Sequence, residues 1–219
     1  MFTYPKHAEF NRVIPKSKIY AHTKPSRAVK ELFVSQVSEI VWKYKLSPET
    51  TNLPARHGIT EIQVFEITLK TEDCDPAILR TIDKAIPFPI LFQITRPGGI
   101  RYAASYKRPS DADTSKWVIE GDFTTGWFHH SSFIFHPLPV ALDLGVLYEQ
   151  LLRHHIPLSA RPGESISEHV ARFAAIESKE REARQLESRL AKEKQFNRKV
   201  EINAALREVN AELVSLHQP

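Results

Sequence analysis

Residues 61–70 read EIQVFEITLK and residues 88–95 read FPILFQIT. Both are dense in β-branched and aromatic residues. In the first, Ile62 and Val64 fall on one side of an extended chain, and Phe65, Ile67 and Leu69 fall on the other. A strand apolar on both faces belongs inside a sheet rather than at its edge. Between the two stretches, Asp75-Pro76 starts a helix, with Asp as N-cap and Pro in the first turn. Ile78, Leu79, Ile82 and Ile86 recur at helical spacing, and Pro87 stops the run. Strand, helix and strand this close together predict a right-handed β-α-β crossover.

Working outward, Pro97-Gly98-Gly99 is a turn, and residues 100–107 (IRYAASYK) alternate as a strand that pairs back in a hairpin. Arg101, Ala103, Ser105 and Lys107 share one face; Tyr102, Ala104 and Tyr106 share the other. Further strands are expected at Lys116–Ile119, Asp122–Phe128 and Ser131–Phe135. Asp143 caps a helix with Leu144, Leu147, Leu151 and Leu152 inward, fading at His154-His155-Ile156-Pro157. Upstream, Phe10–His22 reads either as an arm or as a short edge strand. Ser26 is an N-cap. Val29, Leu32, Phe33, Val37, Ile40 and Val41 then predict one helix reaching Tyr44. Leu46–His57 reads as a polar loop.

Residues 157–163 (PLSARPG) form a hinge, and from Ser165 to Leu216 there is neither Pro nor Gly. This composition predicts one long helix, or two with a break. Ala183, Leu186, Leu190 and Val200 make a sparse apolar seam. Ile202, Leu206, Val209, Leu213 and Leu216 make a cleaner heptad-like one, offset like a stutter. So polar a helix needs a partner for its seam. A second copy of the chain is the simplest; the body or another protein are the alternatives. Gln195, Phe196, Asn197, Val200, Leu206 and Leu213 are the candidate partner-binding residues. The amides among Gln195, Asn197 and Asn203 either set register or make contacts. The expectation is thus an α+β body over residues 1–160, with a mixed sheet of about four or five strands and flanking helices. A coiled-coil-like helix follows over 164–219.

One cysteine, Cys74, excludes an internal disulfide framework and a multi-Cys zinc site. With no apolar leader at the N-terminus and no apolar run of membrane length, a cytoplasmic protein away from membranes is expected. Residues 1–60 carry 10 Lys and Arg against 4 Glu, whereas the remainder is nearly balanced. This basic front is either a solubilising surface or a phosphate-contacting one, the latter through Arg12, Lys16, Lys18, Lys43 and Lys45.

Catalytic signatures are weak. A metal-dependent nuclease needs clustered carboxylates beside a lysine. Glu61, Glu66 and Asp83 are the only such set to offer. Glu177-Ser178-Lys179 has the letters of the motif but lies in the long helix. His129, His130 and His136 alternate across a strand, which favours surface or aromatic packing over a shared ion. His154-His155 suits a cationic site at a helix C-terminus. Trp42, Trp117 and Trp127 are core or contact residues. No nucleophile elbow and no phosphate-binding glycine loop is present. No metal and no cofactor is expected.

FNRVIPKSKIY, WKYKLSPETTNL, EIQVFEI, IDKAIPFPILF and KEKQFNRKVEINAALR occur in this order from about residue 4 to 213. Together they resemble a bacterial family, the domain of unknown function catalogued as 4391. The resemblance implies an α+β body followed by a charged C-terminal helix. It also implies a gene neighbourhood of helicase-like ATPases and DNA methyltransferases in restriction or phage-defence loci, and it carries no catalytic residues. The expectation is a non-enzymatic accessory subunit, a homodimer, binding DNA, a helicase or a DNA methyltransferase. The alternatives are a metal-dependent nuclease with a degenerate site and a purely structural coiled-coil dimer.

Overall fold

The computed structural model describes residues 2–110, 112–113, 116–129 and 136–218. The expected strand at Ser131–Phe135 lies outside the described residues, as does His130. The chain divides into two units, Met1–Pro157 and Leu158–Pro219.

In chain order the first unit contains β1 (Phe2–Thr3), a 3-10 turn at Lys6–Ala8, β2 (Glu9–Val13), α1 (Lys16–Thr23), α2 (Arg27–Gln36), β3 (Val37–Leu46), α3 (Pro48–Thr51) and β4 (Ile62–Leu69). It continues with α4 (Pro76–Ala85), β5 (Ile90–Arg96), β6 (Gly99–Pro109), β7 (Trp117–Thr124), β8 (Phe128–His129), β9 (His136–Pro137) and α5 (Leu144–Arg153). A seven-stranded mixed sheet runs β2-β3-β4-β5-β6-β7, with β8 paired to β6; β1 and β9 form a separate parallel pair.

The two interior strands and the helix between them form a β-α-β unit. β4 and β5 are adjacent and parallel, with Phe65 opposite Phe92 and Glu66 opposite Gln93. Asp75 caps α4 by accepting from the Ala77 amide at 2.9 Å. The hairpin also stands: β5 and β6 are antiparallel, turning at Gly98, whose φ of +80° suits glycine. One face of the sheet packs Phe65, Ile67, Leu69, Phe92 and Ile94 against Ile19 of α1, Phe33 of α2 and Ile78 and Ile82 of α4. On the other face Tyr106 stacks on Tyr148 of α5, with ring centroids 6.5 Å apart.

The sheet is larger than the expected four or five strands, chiefly because a stretch expected as helix is a strand. The helix from Ser26 ends at Gln36, and Val37–Leu46 is a strand between β2 and β4. A register shift between Val37 and Glu39 lets Val37 and Ile40 both bury into the helix-side core. A bulge of this kind puts residues three apart on one face and so imitates helical spacing. No Gly or Pro marks the change, but the β-branched and aromatic residues from Val37 to Tyr44 favour the strand once neighbours exist on both sides. Phe10–His22 contains both an edge strand (β2) and a helix (α1) that ends at Lys24 in the left-handed region, φ 46°. The supposed loop at Leu46–His57 holds the single turn α3, closed by a Ser47–Thr50 capping box.

The second unit is two helices, α6 (Ile166–Lys192) and α7 (Phe196–His217). A capping box of Ser165 and Glu168 starts α6. Three residues join the helices, so they run antiparallel. Ala183 and Leu186 of α6 pack with Ile202 and Val209 of α7, flanked by Leu190, Leu206 and Leu213. The two offset seams therefore face each other within one chain, except that Val200, expected in the first, lies on α7 and is exposed; Lys179 bridges to Glu212 at 2.7 Å.

Candidate functional site

The five basic residues of the expected phosphate-contacting surface do not share one environment. Lys16 donates its ammonium to the carbonyls of Phe33 (2.8 Å) and Val37 (2.6 Å), closing the C-terminal end of α2. Burial, with Lys70 nearby, pulls its pKa below the ordinary lysine value. Lys43 pairs with Glu66, and Lys45 with Glu61 at 3.1 Å. Arg12 lies over the Phe10 ring, 4.7 Å from its centroid, and Phe10 in turn packs on Trp42. Arg12 and Lys18 are exposed.

The carboxylates expected of a nuclease do not converge either. Glu61 pairs with Lys45 and accepts from Gln63 at 2.5 Å. Glu66 alternates with Phe65 and Ile67, so it lies on the face opposite α4. Asp83, on α4, holds Lys107 at 2.9 Å and accepts from the Ser105 hydroxyl at 2.9 Å. Lys107 is 0% exposed and also donates to the carbonyls of Ile86 and Phe88, both at 2.9 Å. The ammonium thus has two carbonyl acceptors and one carboxylate counter-ion around it. Burial lowers the Lys107 pKa while Asp83 raises it back; burial raises that of Asp83 while Lys107 lowers it. This cluster clasps the end of α4 to β6. Among the described residues no group of three His, Cys, Asp or Glu could hold a metal ion.

His129 lies on β8, opposite Gly99, and His136 on β9, opposite Phe2, so the two belong to different sheets. Of the helix-end histidines, His155 differs from the expected cationic site. Each directs Nδ1 to the carbonyl four residues back, His154 to Gln150 and His155 to Leu151, both at 2.8 Å. His155 is buried, which pulls its pKa down to about 4. It therefore caps the helix as a neutral donor, not as a cation. Of the tryptophans, Trp42 flanks the core, whereas Trp127 lies between the guanidiniums of Arg96 (4.1 Å) and Arg101 (4.9 Å). Cys74 is buried, its thiol pushed up to about 12, and so is poorly reactive.

A cavity of about 720 Å³ opens on the sheet face opposite α4. Leu91 and Gln93 of β5 and Tyr102 of β6 contribute to it, with Phe2, Tyr4, Phe128 and His155 among the residues around them. Gln93 is only 2% exposed, and its carboxamide hydrogen-bonds the Tyr4 hydroxyl. Burial, with the Glu66 carboxylate nearby, pushes the Tyr102 hydroxyl up to about 12. These residues come from five separated stretches of the chain with no common motif. Only the polar Gln93 inside an apolar strand was a sequence signal.

In the second unit the candidate partner-binding residues fall into two groups. Leu206 and Leu213 pack on the α6–α7 seam. Gln195 and Asn197 are exposed where α7 begins, and Phe196 (77% exposed) and Val200 (52% exposed) project one turn apart. At the opposite end Arg161 donates to the carbonyls of Ser215 (2.9 Å) and Gln218 (3.0 Å). Arg172 donates to that of Leu216 at 3.1 Å.

Among the described residues no helix is long and apolar enough to cross a membrane. Compared with known proteins, the chain matches no curated protein and no solved structure. The family model described as "Domain of unknown function (DUF4391)" matches residues 2–213, and the chain belongs to that family.

Proposed function

We propose that the chain is a non-enzymatic accessory subunit of a bacterial DNA restriction or phage-defence system, and that it engages a protein partner through the tip of its helical hairpin. The observation that carries this reading is the exposure of Phe196 and Val200 on adjacent turns, beside Gln195 and Asn197. The seam below them is already filled from within the chain. A large aromatic ring left in water at a helix tip, ringed by amides and cations such as Arg198 and Lys199, has the make-up of a small interface centre. The gene neighbourhood implied by the family resemblance names a helicase-like ATPase or a DNA methyltransferase as the partner.

Co-expression with each neighbouring helicase or methyltransferase, followed by size-exclusion chromatography, tests the reading. A stable complex that Phe196→Asp with Val200→Asp abolishes, at unchanged melting temperature, is the expected result. Absence of a complex with either enzyme overturns it. Dimerisation of the chain that depends on the same two residues would put a second copy at the tip instead.

Direct contact with DNA is a second reading, supported by the exposed Arg12 and Lys18. It predicts a shallow dependence of affinity on salt, since few phosphates would be neutralised.

A further inference from the structure

The cavity on the sheet face has chemistry that the hairpin reading does not use. Its described lining contains no Lys, Arg, Asp or Glu, so it favours an uncharged occupant. Its volume, about 720 Å³, is in the range of small-molecule sites. Aromatic rings dominate the walls. Tyr102 and Phe128 lie with centroids 6.5 Å apart, Tyr102 and His155 6.3 Å apart, and Phe2 meets His154 edge-on at 4.9 Å.

Of the polar residues in this lining, Gln93 and His155 are the buried ones. Gln93 sits in an interior strand between Glu66 on β4 and Tyr102 on β6. A carboxamide carries two acceptor lone pairs and two donors, more than the Tyr4 hydroxyl satisfies. In His155 the bond from Nδ1 to the Leu151 carbonyl fixes the proton there, because a carbonyl only accepts. Nε2 is then left as an acceptor. A wholly aliphatic occupant would offer no donor to His155 Nε2 and would leave part of the Gln93 carboxamide's capacity unused in a dry site, which is unfavourable.

We propose that this cavity binds a nucleobase, an uncharged planar heteroaromatic ring with its own N–H donors and acceptors, against the aromatic walls and hydrogen-bonded to Gln93 and His155. Ring faces suit aromatic stacking, and the base edge suits a carboxamide and an imidazole acceptor. Without Lys or Arg in the described lining, a phosphate stays outside, so the occupant is either a free nucleoside or one unstacked base of a single strand. The inference concerns the first unit and stands independently of the hairpin tip.

The test is calorimetric titration of the intact chain with adenosine, guanosine, cytidine and uridine to about 1 mM, the weak limit of useful affinity. A short single-stranded oligonucleotide of mixed sequence runs in parallel. Saturable binding of at least one probe is expected, weakened about tenfold or more by Gln93→Leu and by His155→Phe, since each removes one hydrogen-bond partner. Phe128→Ala, at the partly exposed rim, is expected to weaken it too and decides the matter should either buried variant fail to fold. Nucleoside binding identifies a free ligand; oligonucleotide binding alone identifies a strand. Binding unaffected by the variants that fold, or no binding of any probe, overturns the proposal.

Discussion

Arg172 grips Glu164 with two nitrogens, Nε at 2.6 Å and Nη2 at 2.9 Å, and with its third nitrogen it reaches the Leu216 carbonyl of the other helix at 3.1 Å. The two side chains are 6% and 7% exposed, so the pair is shielded as well as bidentate. Arg172 thus ties the start of α6 to the last turn of α7. Arg172→Ala leaves Glu164 without its cation and the α7 carbonyls short of a donor. A loss of about 3 kcal/mol is expected, as for breaking one side of a shielded pair. Urea unfolding of the full chain, with hydrogen exchange at the end of α7, measures it.

The same pair sets an acid response. The hydrogen bonds from Arg172 bring the Glu164 pKa down to about 2. A carboxylate depressed on folding contributes stability that is complete above its unfolded value, about 4.3. That contribution fades as pH falls toward 2. Hairpin stability, followed by exchange on α7, is expected to drop over this window, and Glu164→Gln to lose much of the dependence.

His155 gives the first unit a different window. Burial lowers its pKa from 6.5 to about 4, so the unfolded chain binds the proton more readily. Stability of this unit is expected to be intact above pH 6.5 and to decline toward pH 4, by an amount on the order of 3 kcal/mol. His155→Phe flattens that part of the profile, read by the near-ultraviolet signal of the surrounding aromatics.

Lys107 and Asp83 test the clasp between α4 and β6. Lys107→Met leaves the Asp83 carboxylate buried beside Ser105 and is expected to cost about 3–5 kcal/mol. Lys107→Met with Asp83→Leu removes both charges, and its cost is expected to be smaller than that of the single change. Chemical denaturation of the three proteins decides the order.

Lys16 separates a structural cation from a phosphate-contacting one. Its bonds to the Phe33 and Val37 carbonyls predict that Lys16→Ala weakens the fold by about 1–2 kcal/mol. Any DNA affinity seen by fluorescence anisotropy should respond to Arg12→Glu and Lys18→Glu instead. A variant at Lys16 that folds normally but loses DNA would contradict this assignment.

The local signals in the sequence were strong where one element decided its own conformation. Asp75-Pro76 and Pro87 bound a helix whatever surrounds it, and the apolar faces of Ile62–Leu69 require an interior strand. Gly98 dictates its turn, and the family resemblance rests on motifs legible in the same way. What the tertiary structure alone decided is the fate of segments with two compatible readings. Val37–Leu46 carries apolar residues at helical spacing, yet flanking strands claim its backbone hydrogen bonds and a bulge absorbs the spacing. The α6 and α7 seams fit a dimer or a hairpin equally by period; the three residues between the helices bring the second seam back onto the first. The lysines of the front look alike in sequence, and only the fold sets carbonyls against Lys16 and carboxylates against Lys43 and Lys45. The cavity is the extreme case, because Tyr4, Gln93, Tyr102 and His155 become neighbours only when the sheet and α5 assemble. Periodicity encodes which residues are buried; which groups meet there depends on long-range pairing, and no local pattern specifies it.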